Sequence, residues 1–470
     1  MNQLDLHSDA TISALFQAWA SAGRWLLGYS GGLDSTVLLN LCTRAQRLLR
    51  DAQLPAPQLQ AVHVDHQLSP NHKHWVTHCE EQCRALSVPL IIKTSDVISQ
   101  GEGLEAAARE ARYGIFQNLL QQQDDVLMLG HHQDDQGETL LYRLMRGCGV
   151  HGAAAIPAQR ALEQGLLARP LLNLPREQIQ RYASSYGLAF IEDESNVDLQ
   201  FDRNFLRQEV LPLLRQRWPS ANRTLARFAG LAKEQQQLAH DMAGVDYAAV
   251  STKDARFGQC LAIDKTLALP SHRRNNLYHF LLNALGIETS ARVKITEIDA
   301  FAHSASAGKQ LDAGHYSLRI HQGRLFFIDA QALTGLPRIR QPRGWQFEQH
   351  TDGVAGEIQL VETGSDVHPT PQGIRRQRYL LGQRMPNAVA RVNGNGKSLK
   401  KLLQELGIPA WLRDLVPVLY ADIDNASSAP NYQVAAIPGY LVCDDYKDAQ
   451  GPRLEWQCKD ANALESADLA

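Results

Sequence analysis

Six consecutive residues, Ser30-Gly31-Gly32-Leu33-Asp34-Ser35, combine small, hydroxyl and acidic side chains in an order suited to binding a charged phosphate group. They lie between an apolar run, Trp25 to Tyr29, and an apolar-periodic stretch beginning at Thr36, so they read as a strand-to-helix turn. Two glycines let backbone approach an anion closely, and a helix start behind them offers free N–H groups and a positive dipole end. Ser30 and Ser35 add hydroxyl donors. Asp34 discriminates between readings, because a carboxylate beside a polyphosphate is repulsive unless a divalent cation bridges the two. The turn therefore argues for a Mg²⁺-nucleotide, with the cation at Asp34. Because the turn lacks the Gly-Lys-Ser/Thr ending of the common NTPase phosphate loop, it implies a different nucleotide chemistry.

A second cluster, Gly130-His131-His132-Gln133-Asp134-Asp135-Gln136-Gly137-Glu138-Thr139, follows another apolar run. Asp134 and Glu138 are spaced to share one face of a helix. Asp135 and Glu138 also fit the spacing of a helix capping box, which would explain the acids but not the histidines before them. The segment lacks the helical i,i+4 His pair of zinc hydrolases. An acidic pocket at a strand end, facing a nucleotide, suits a cationic substrate.

Short apolar runs and amphipathic stretches alternate from about Arg24 to Arg217. Strands are expected at Trp25–Tyr29, Leu59–Val64, Pro89–Lys93 and Val126–Gly130, with helices near Thr36–Arg50, His72–Leu86 and Leu104–Gln121. This repetition predicts an α/β fold, a doubly wound and mostly parallel sheet whose ligands gather at the carboxyl ends of the strands. The expected organisation is a catalytic domain over 1–217, a mostly helical substrate-recognition domain over 218–330 and a connector over 331–372. A basic, small α+β domain over 373–446 and a tail over 447–470 complete it. A strand is expected in the connector at Glu357–Glu362.

The chain has 470 residues, 44% hydrophobic and 21% charged, which is the composition of a globular protein of several domains. No apolar run is long enough to span a bilayer, so no membrane partner is expected. Seven cysteines at irregular spacing make no disulfide framework, which favours a cytoplasmic location. Net charge is −3, yet residues 371–420 carry nine Lys/Arg against two acids, an excess of seven positive charges. That excess is the footprint of a phosphate-rich partner.

Further segments occur in order: Val64-Asp65-His66; Glu105, Arg109, Arg112 and Tyr113; Arg146-Gly147 with Gly149; Arg169-Pro170-Leu171-Leu172; Glu192-Asp193 with Ser195, Asn196 and Asp198; and Arg203-Asn204 with Arg207. Leu399-Lys400-Lys401-Leu402 precedes Pro409, Trp411, Arg413 and Pro417. With the two clusters above, this series resembles the tRNA(Ile)-lysidine synthase family of the ATP-pyrophosphatase (PP-loop) superfamily, across nearly the whole chain. The resemblance implies a ligase that uses ATP to adenylate the C2 oxygen of the wobble cytidine of tRNA(Ile) with a CAU anticodon, releasing pyrophosphate. The ε-amine of free L-lysine then displaces AMP. The lysidine formed pairs with A, changing codon reading from AUG to AUA.

On this resemblance, Ser30, Gly31, Gly32, Leu33, Asp34 and Ser35 bind ATP, and Asp34 holds Mg²⁺. Asp134, Asp135 and Glu138 bind lysine. Asp34, His132 and Asp135 are the catalytic candidates, with the general base left between His132 and a neighbouring carboxylate. Arg109, Arg112, Arg146, Arg203 and Arg207 are candidate contacts to the tRNA anticodon loop or to ATP phosphates, Lys397, Lys400, Lys401 and Arg413 are candidate tRNA contacts, and Trp411 is either a base-stacking or a core residue. Glu192, Asp193, Asn196 and Asp198 are expected to order the loop leading into Arg203. Two departures stand out. Gln67-Leu68-Ser69 replaces the family's usual Gly-Leu-Arg, and Tyr29 replaces the small residue before the glycine turn. A tRNA thiolase would be expected to carry Cys-x-x-Cys pairs, and Cys79 and Cys83 do not fit that spacing. A glutamine-dependent synthetase needs an amidotransferase module, and a pure RNA binder gains nothing from acids in an RNA groove. The sequence leaves open whether the chain acts alone or as a homodimer.

Overall fold

The computed structural model describes residues 5–95, 104–192, 198–254, 256–287, 295–304, 310–339, 341–345, 357–361, 372–421, 432–458 and 462–467. They fall into two compact units, Met1–Gln237 and Leu238–Ala470.

In the first unit, α1 (Asp9–Phe16) precedes the alternation β1 (Arg24–Gly28), α2 (Leu33–Asp51), β2 (Gln58–Asp65), α3 (His72–Ala85), β3 (Leu90–Thr94), α4 (Leu104–Leu119) and β4 (Asp125–Met128). These elements match the expected strands and helices to within three residues at every end. Next come α5 (Gln133–Met145), α6 (Val150–Ala153), the hairpin β5 (Gln159–Leu162) and β6 (Gly165–Ala168), and α7 (Arg176–Ser185). The sheet order is β3-β2-β1-β4-β6-β5, parallel throughout except for β5 on the edge. Strand β1 is apolar on both faces because both are covered. Trp25 and Leu27 pack with Val37, Leu38 and Leu41 of α2, whereas Leu26 packs with Phe116 and Leu120 at the end of α4. From β1 the chain winds outward through β2 and β3, then crosses back to β4 on the other side. The crevice between the carboxyl ends of β1 and β4 is therefore the topological switch point, where sheets of this kind bind ligands. Both chemical clusters of the sequence open there.

After α8 (Asp202–Phe205), a π-helical turn at Leu206–Val210 leads into α9 (Leu211–Arg217), and α10 (Ala221–Val250) follows. The second unit then carries β7 (Ser251–Asp254), β8 (Gly258–Ala262), α11 (Ile263–Ala268), α12 (Ser271–Ala284), α13 (Ile295–Ser304), β9 (Gln310–Ala313), β10 (Tyr316–His321), β11 (Arg324–Asp329) and α14 (Ala330–Gly335). The helical expectation for 218–330 captures α10 to α13 but passes over an antiparallel sheet in the order β7-β8-β11-β10-β9. Its strands are four to six residues long. The β10–β11 hairpin turns on Gln322-Gly323, both at positive φ. Gln in that position is a weaker turn signal than Asn or Asp, so the hairpin is hard to read from sequence.

The remaining strands are β12 (Arg343–Trp345), β13 (Glu357–Val361), β14 (Tyr379–Gly382), β15 (Val389–Val392), β16 (Asn395–Ser398), β17 (Val418–Ala421), β18 (Gln433–Ile437), β19 (Leu441–Val442) and β20 (Arg453–Gln457). Helix α15 (Leu399–Glu405) follows β16. The larger sheet runs β12-β14-β17-β18-β15-β16, with β19 on β18. Residues 447–470, read as a tail, instead supply β20, which pairs with β13 of the expected connector. Trp456 and Leu454 of β20 are fully buried. This ladder joins strands about a hundred residues apart, so neither half carries a local signal.

Candidate active site

The turn after β1 is shaped by its own hydroxyls and glycines. Gly31 has φ +81°, and a Cβ there would stand 3.1 Å from Cys79 Sγ. The Ser30 and Ser35 hydroxyls lie 3.0 Å apart, and Ser35 Oγ donates to Gly32 O at 3.0 Å. Ile191 N donates to Gly31 O at 2.9 Å, tying the turn to a neighbouring segment. Helix α2 opens at Leu33, and its first i→i−4 bond runs from Thr36 N to Gly32 O. The amides before Thr36 are those left to an anion. Gly130, at the end of β4, allows close approach from the other side: a Cβ there would meet the Asp34 backbone carbon at 3.0 Å and Ser35 N at 3.2 Å.

Helix α5 begins at this junction. His132 is its N-cap, with Nδ1 accepting from Asp134 N at 3.2 Å while Asp135 Oδ2 accepts from His132 N at 2.8 Å. The capping box is thus His132–Asp135, not the Asp135–Glu138 spacing noted in the sequence. The same histidine has a second task, because its Nε2 lies 3.5 Å from Asp34 Oδ2 and 3.7 Å from Asp135 Oδ2. Burial resists charging of the ring, but Asp135 and then Asp34 outweigh it and raise the His132 pKa to about 9. Full protonation would take Nδ1 away from the Asp134 N–H. With Nδ1 accepting from Asp134 N, the ring proton sits on Nε2 facing Asp34, and the carboxylates that favour a second proton compete with the cap.

The acids are held by arginines of the following helices. Arg207, on the π-helical turn, donates from Nε and Nη2 to the two Glu138 oxygens, each at 2.7 Å, and reaches Asp135 Oδ1 at 3.4 Å. Burial pushes the Glu138 carboxyl up, while the Glu138 contact overcomes burial to hold Arg207 more firmly protonated. Two bonds of 2.7 Å, one to each oxygen, are the geometry of an ion pair, and we assign the pair as ionised. Asp135 is held below the usual carboxylate range because His132, His131 and Arg207 outweigh its burial. Asp134 Oδ2 is 3.6 Å from Arg215 Nη1. Asp34 differs from its neighbours. Its Oδ1 is buried with no hydrogen-bond partner among the described residues, a position that fits a cation. His131 faces elsewhere, its Nδ1 accepting from Arg169 Nε at 3.2 Å, and burial lowers its pKa to about 4.

Comparison with known proteins fixes the lineage of this arrangement. The PP-loop domain model matches residues 4–214, the TilS substrate binding domain model 261–326 and the TilS substrate C-terminal domain model 381–456. A tRNA(Ile)-lysidine synthase of Serratia proteamaculans is 36% identical over 95% of this chain and 99% of its own length. One of Pseudomonas fluorescens is 33% identical over 98% and 99%. The chain belongs to the tRNA(Ile)-lysidine synthase family. Among solved structures, a U34-tRNA thiolase of Methanococcus maripaludis aligns with 48% of this chain and 78% of its own, at 14% identity and a TM-score of 0.40.

Against the lysidine synthase pattern, the structure brings Ser30, Gly31, Gly32, Leu33, Asp34, Ser35, His132, Asp134, Asp135 and Glu138 to one crevice. Arg207 joins them, its guanidinium paired with Glu138 because a buried carboxylate needs a partner. Arg109 and Arg203 line an adjacent cavity, and Arg146 and Arg203 both lie over the Tyr142 ring, at 5.2 and 5.9 Å. Arg112 lies close enough to His66 to help lower the pKa of that ring. In the second unit, Lys400 and Lys401 stand exposed on α15, Lys397 pairs with Glu405 at 2.6 Å, and Arg413 donates to Ile408 O. Trp411 packs against the core beside Phe326 and His321, so it is a packing residue and not a stacking platform. Of the loop before Arg203, 193–197, including Asp193 and Asn196, lie outside the described residues, and Asp198 O accepts from Asn204. Gln67 adopts φ +55° at the position where the family usually has Gly, so the substitution keeps the glycine's conformation and loses its ease. Tyr29 is buried, its hydroxyl 3.4 Å from Thr36 Oγ1.

Sequence reasoning missed Arg215 and gave Arg169 no role. Arg169 opens the segment Arg169-Pro170-Leu171-Leu172 directly after β6, and that position was its signal. Arg215 lies eight residues beyond Arg207, about two helical turns, but the π-helical turn hid the relation.

Proposed function

We propose that this chain ligates free L-lysine to C2 of the wobble cytidine of tRNA(Ile) in two steps at the β1–β4 crevice. In the first, the turn from Ser30 to Ser35 cradles the β- and γ-phosphates of ATP, and the cytidine C2 oxygen attacks the α-phosphate, expelling pyrophosphate. Asp34 would hold magnesium, which when bound supplies positive charge between the carboxylate and the phosphates. In the second, the ε-amine of lysine attacks C2, and AMP leaves.

Asp134 and Asp135 receive the ammonium groups of lysine. Glu138, with both oxygens taken by Arg207, is the least available of the three acids and orients Asp135 through that arginine. His132 or a neighbouring carboxylate accepts the proton that the ε-ammonium must lose, and Asp135 keeps the ring in place. Arg109, Arg112, Arg146 and Arg203 contact the anticodon arm. Lys397, Lys400, Lys401 and Arg413 add affinity for the rest of the tRNA. The location is the cytoplasm, in keeping with seven free cysteines and with the absence, among the described residues, of any helix long and apolar enough to cross a membrane.

One observation carries this reading: the orphaned Asp34 oxygen beside an anion-binding turn, with His132 bridging it to a buried acidic cluster. The experiment is incubation with ATP, radiolabelled lysine and total bacterial tRNA. Label should enter tRNA only when all three are present; no incorporation with matched or heterologous tRNA would overturn the assignment.

A further inference from the structure

His131 and His132 are consecutive, and His132 is extended, at φ −128° and ψ −177°. Successive side chains on such backbone point to opposite sides, about 3.8 Å apart at Cα. His132 reaches Asp34, whereas His131 lines a cavity of about 410 Å³.

The charge of that cavity is one-sided. Arg109, Arg143, Arg160, Arg169, Arg203 and Lys233 line it, and among the described residues no carboxylate is in ion-pair contact with any of the six. Arg207 and Arg215, in the same unit, both have acids. Arg169 is 4% exposed and is fixed by neutral acceptors, donating to Pro157 O at 2.7 Å and to His131. Arg143 donates to Gly152 O and Ala155 O at 3.0 and 2.8 Å. These carbonyls aim the two guanidinium groups without neutralising them. Burial, followed by the neighbouring cations, holds both below the usual arginine range. Cations gathered in this way without acids repel one another, and an anionic ligand relieves the repulsion.

The planar fork of arginine matches phosphate. Since its described wall has no carboxylate to hold a divalent cation, the cavity is unsuited to a metal-bound triphosphate. The positive surface continues outward from Arg203 to the Tyr142 ring and Arg146, an Arg–aromatic surface of the type that meets RNA. We propose that this cavity seats the RNA backbone phosphates flanking the nucleotide whose base is presented to Asp34. The proposal rests on the lysidine-forming reading and adds the site that would position the wobble base.

The test uses the full chain with Arg160→Gln and Lys233→Gln together, two exposed positions whose replacement spares the buried arginines. Affinity for tRNA should fall about tenfold at fixed salt, and the slope of log K against log salt should become shallower by about 1 to 2. Affinity for ATP and the melting temperature should stay unchanged, and Arg160→Lys with Lys233→Arg should restore tRNA binding. An anticodon stem-loop with a neutral methylphosphonate beside the wobble cytidine should bind the parent chain more weakly and cost the double variant nothing further. Unaltered affinity and salt slope would overturn the proposal. Weakened ATP binding with normal tRNA binding would overturn it too, by giving the cavity to the polyphosphate. Failure here is distinct from failure of the proposed function: a parent chain that incorporates lysine while the variant binds tRNA normally defeats the cavity alone.

Discussion

The acids at the start of α5 and the cations of the C-terminal segment differ most in burial. The Glu138 side chain is 4% exposed and gripped at both oxygens by Arg207, whereas Lys397 is 34% exposed against a Glu405 that is 39% exposed. The first arrangement sits where charge is costly to leave alone, so removing one member strands another. The second sits in water, where a pair contributes little to stability but its charge is felt by a polyanion. On the proposed function, charge in the crevice serves chemistry, and charge on β16 and α15 serves attraction. Four sets of substitutions test that division.

Asp34→Ala should have the largest effect, lowering pyrophosphate release by roughly a thousandfold while tRNA binding and the melting temperature hold. Loss of tRNA binding instead would remove Asp34 from the ATP site and place it with the RNA. Arg207→Ala should lower stability by about 3 kcal/mol by leaving Glu138 buried and unpaired, and Glu138→Gln in the same chain should return part of the loss. A melting curve unmoved by Arg207→Ala would show that the crevice charges behave like those at the surface.

Asp125 extends the comparison to pH. Its oxygens accept from Arg24 at 2.6 and 3.0 Å and from the amides of Gln121 and Gln122. Burial opposes its charge, but those donors outweigh burial and hold the carboxyl below its ordinary value. A depressed acid contributes stability that is fully present above its unfolded pKa, near 4, and is lost as pH falls through the folded value. Asp125→Asn should therefore cost about 2 kcal/mol at pH 7. Urea titrations of the two chains should draw together as pH falls below about 4, and a gap that did not narrow in acid would contradict this. The exposed Glu405→Gln should shift neither curve.

The smallest effect belongs to α15. Lys400→Ala with Lys401→Ala should weaken tRNA binding by a few-fold and reduce the salt slope by about 1 to 2, with ATP affinity and stability unaffected. An unchanged slope would separate α15 from the RNA and break the contrast on which this division rests.

Legibility in the sequence followed the same division between local and distant. The β-α alternation of the first unit was readable because each strand is a continuous apolar run and each helix an amphipathic one, and both loops at the switch point announce themselves by composition. Strands β7 to β11 were not, since they are short and turn on residues such as Gln322 that carry weak signals. The β13–β20 ladder was invisible because its halves lie in segments that look like a connector and a tail. The pairing of Arg207 with Glu138 was not legible, because an arginine's sequence position does not say which anion it will meet.

The order of residues by itself determined the anion-binding turn, the acid–histidine cluster and the parallel sheet that presents them, because these depend on backbone conformation and periodicity over a few neighbouring positions. Tertiary packing alone decided that His132 caps a helix while touching Asp34, that Arg207 closes on Glu138, and that residues as far apart as Arg109 and Lys233 share one cavity without a counter-ion. Charges interact through space, and their partners become neighbours only when a core of apolar contacts has folded the chain around them.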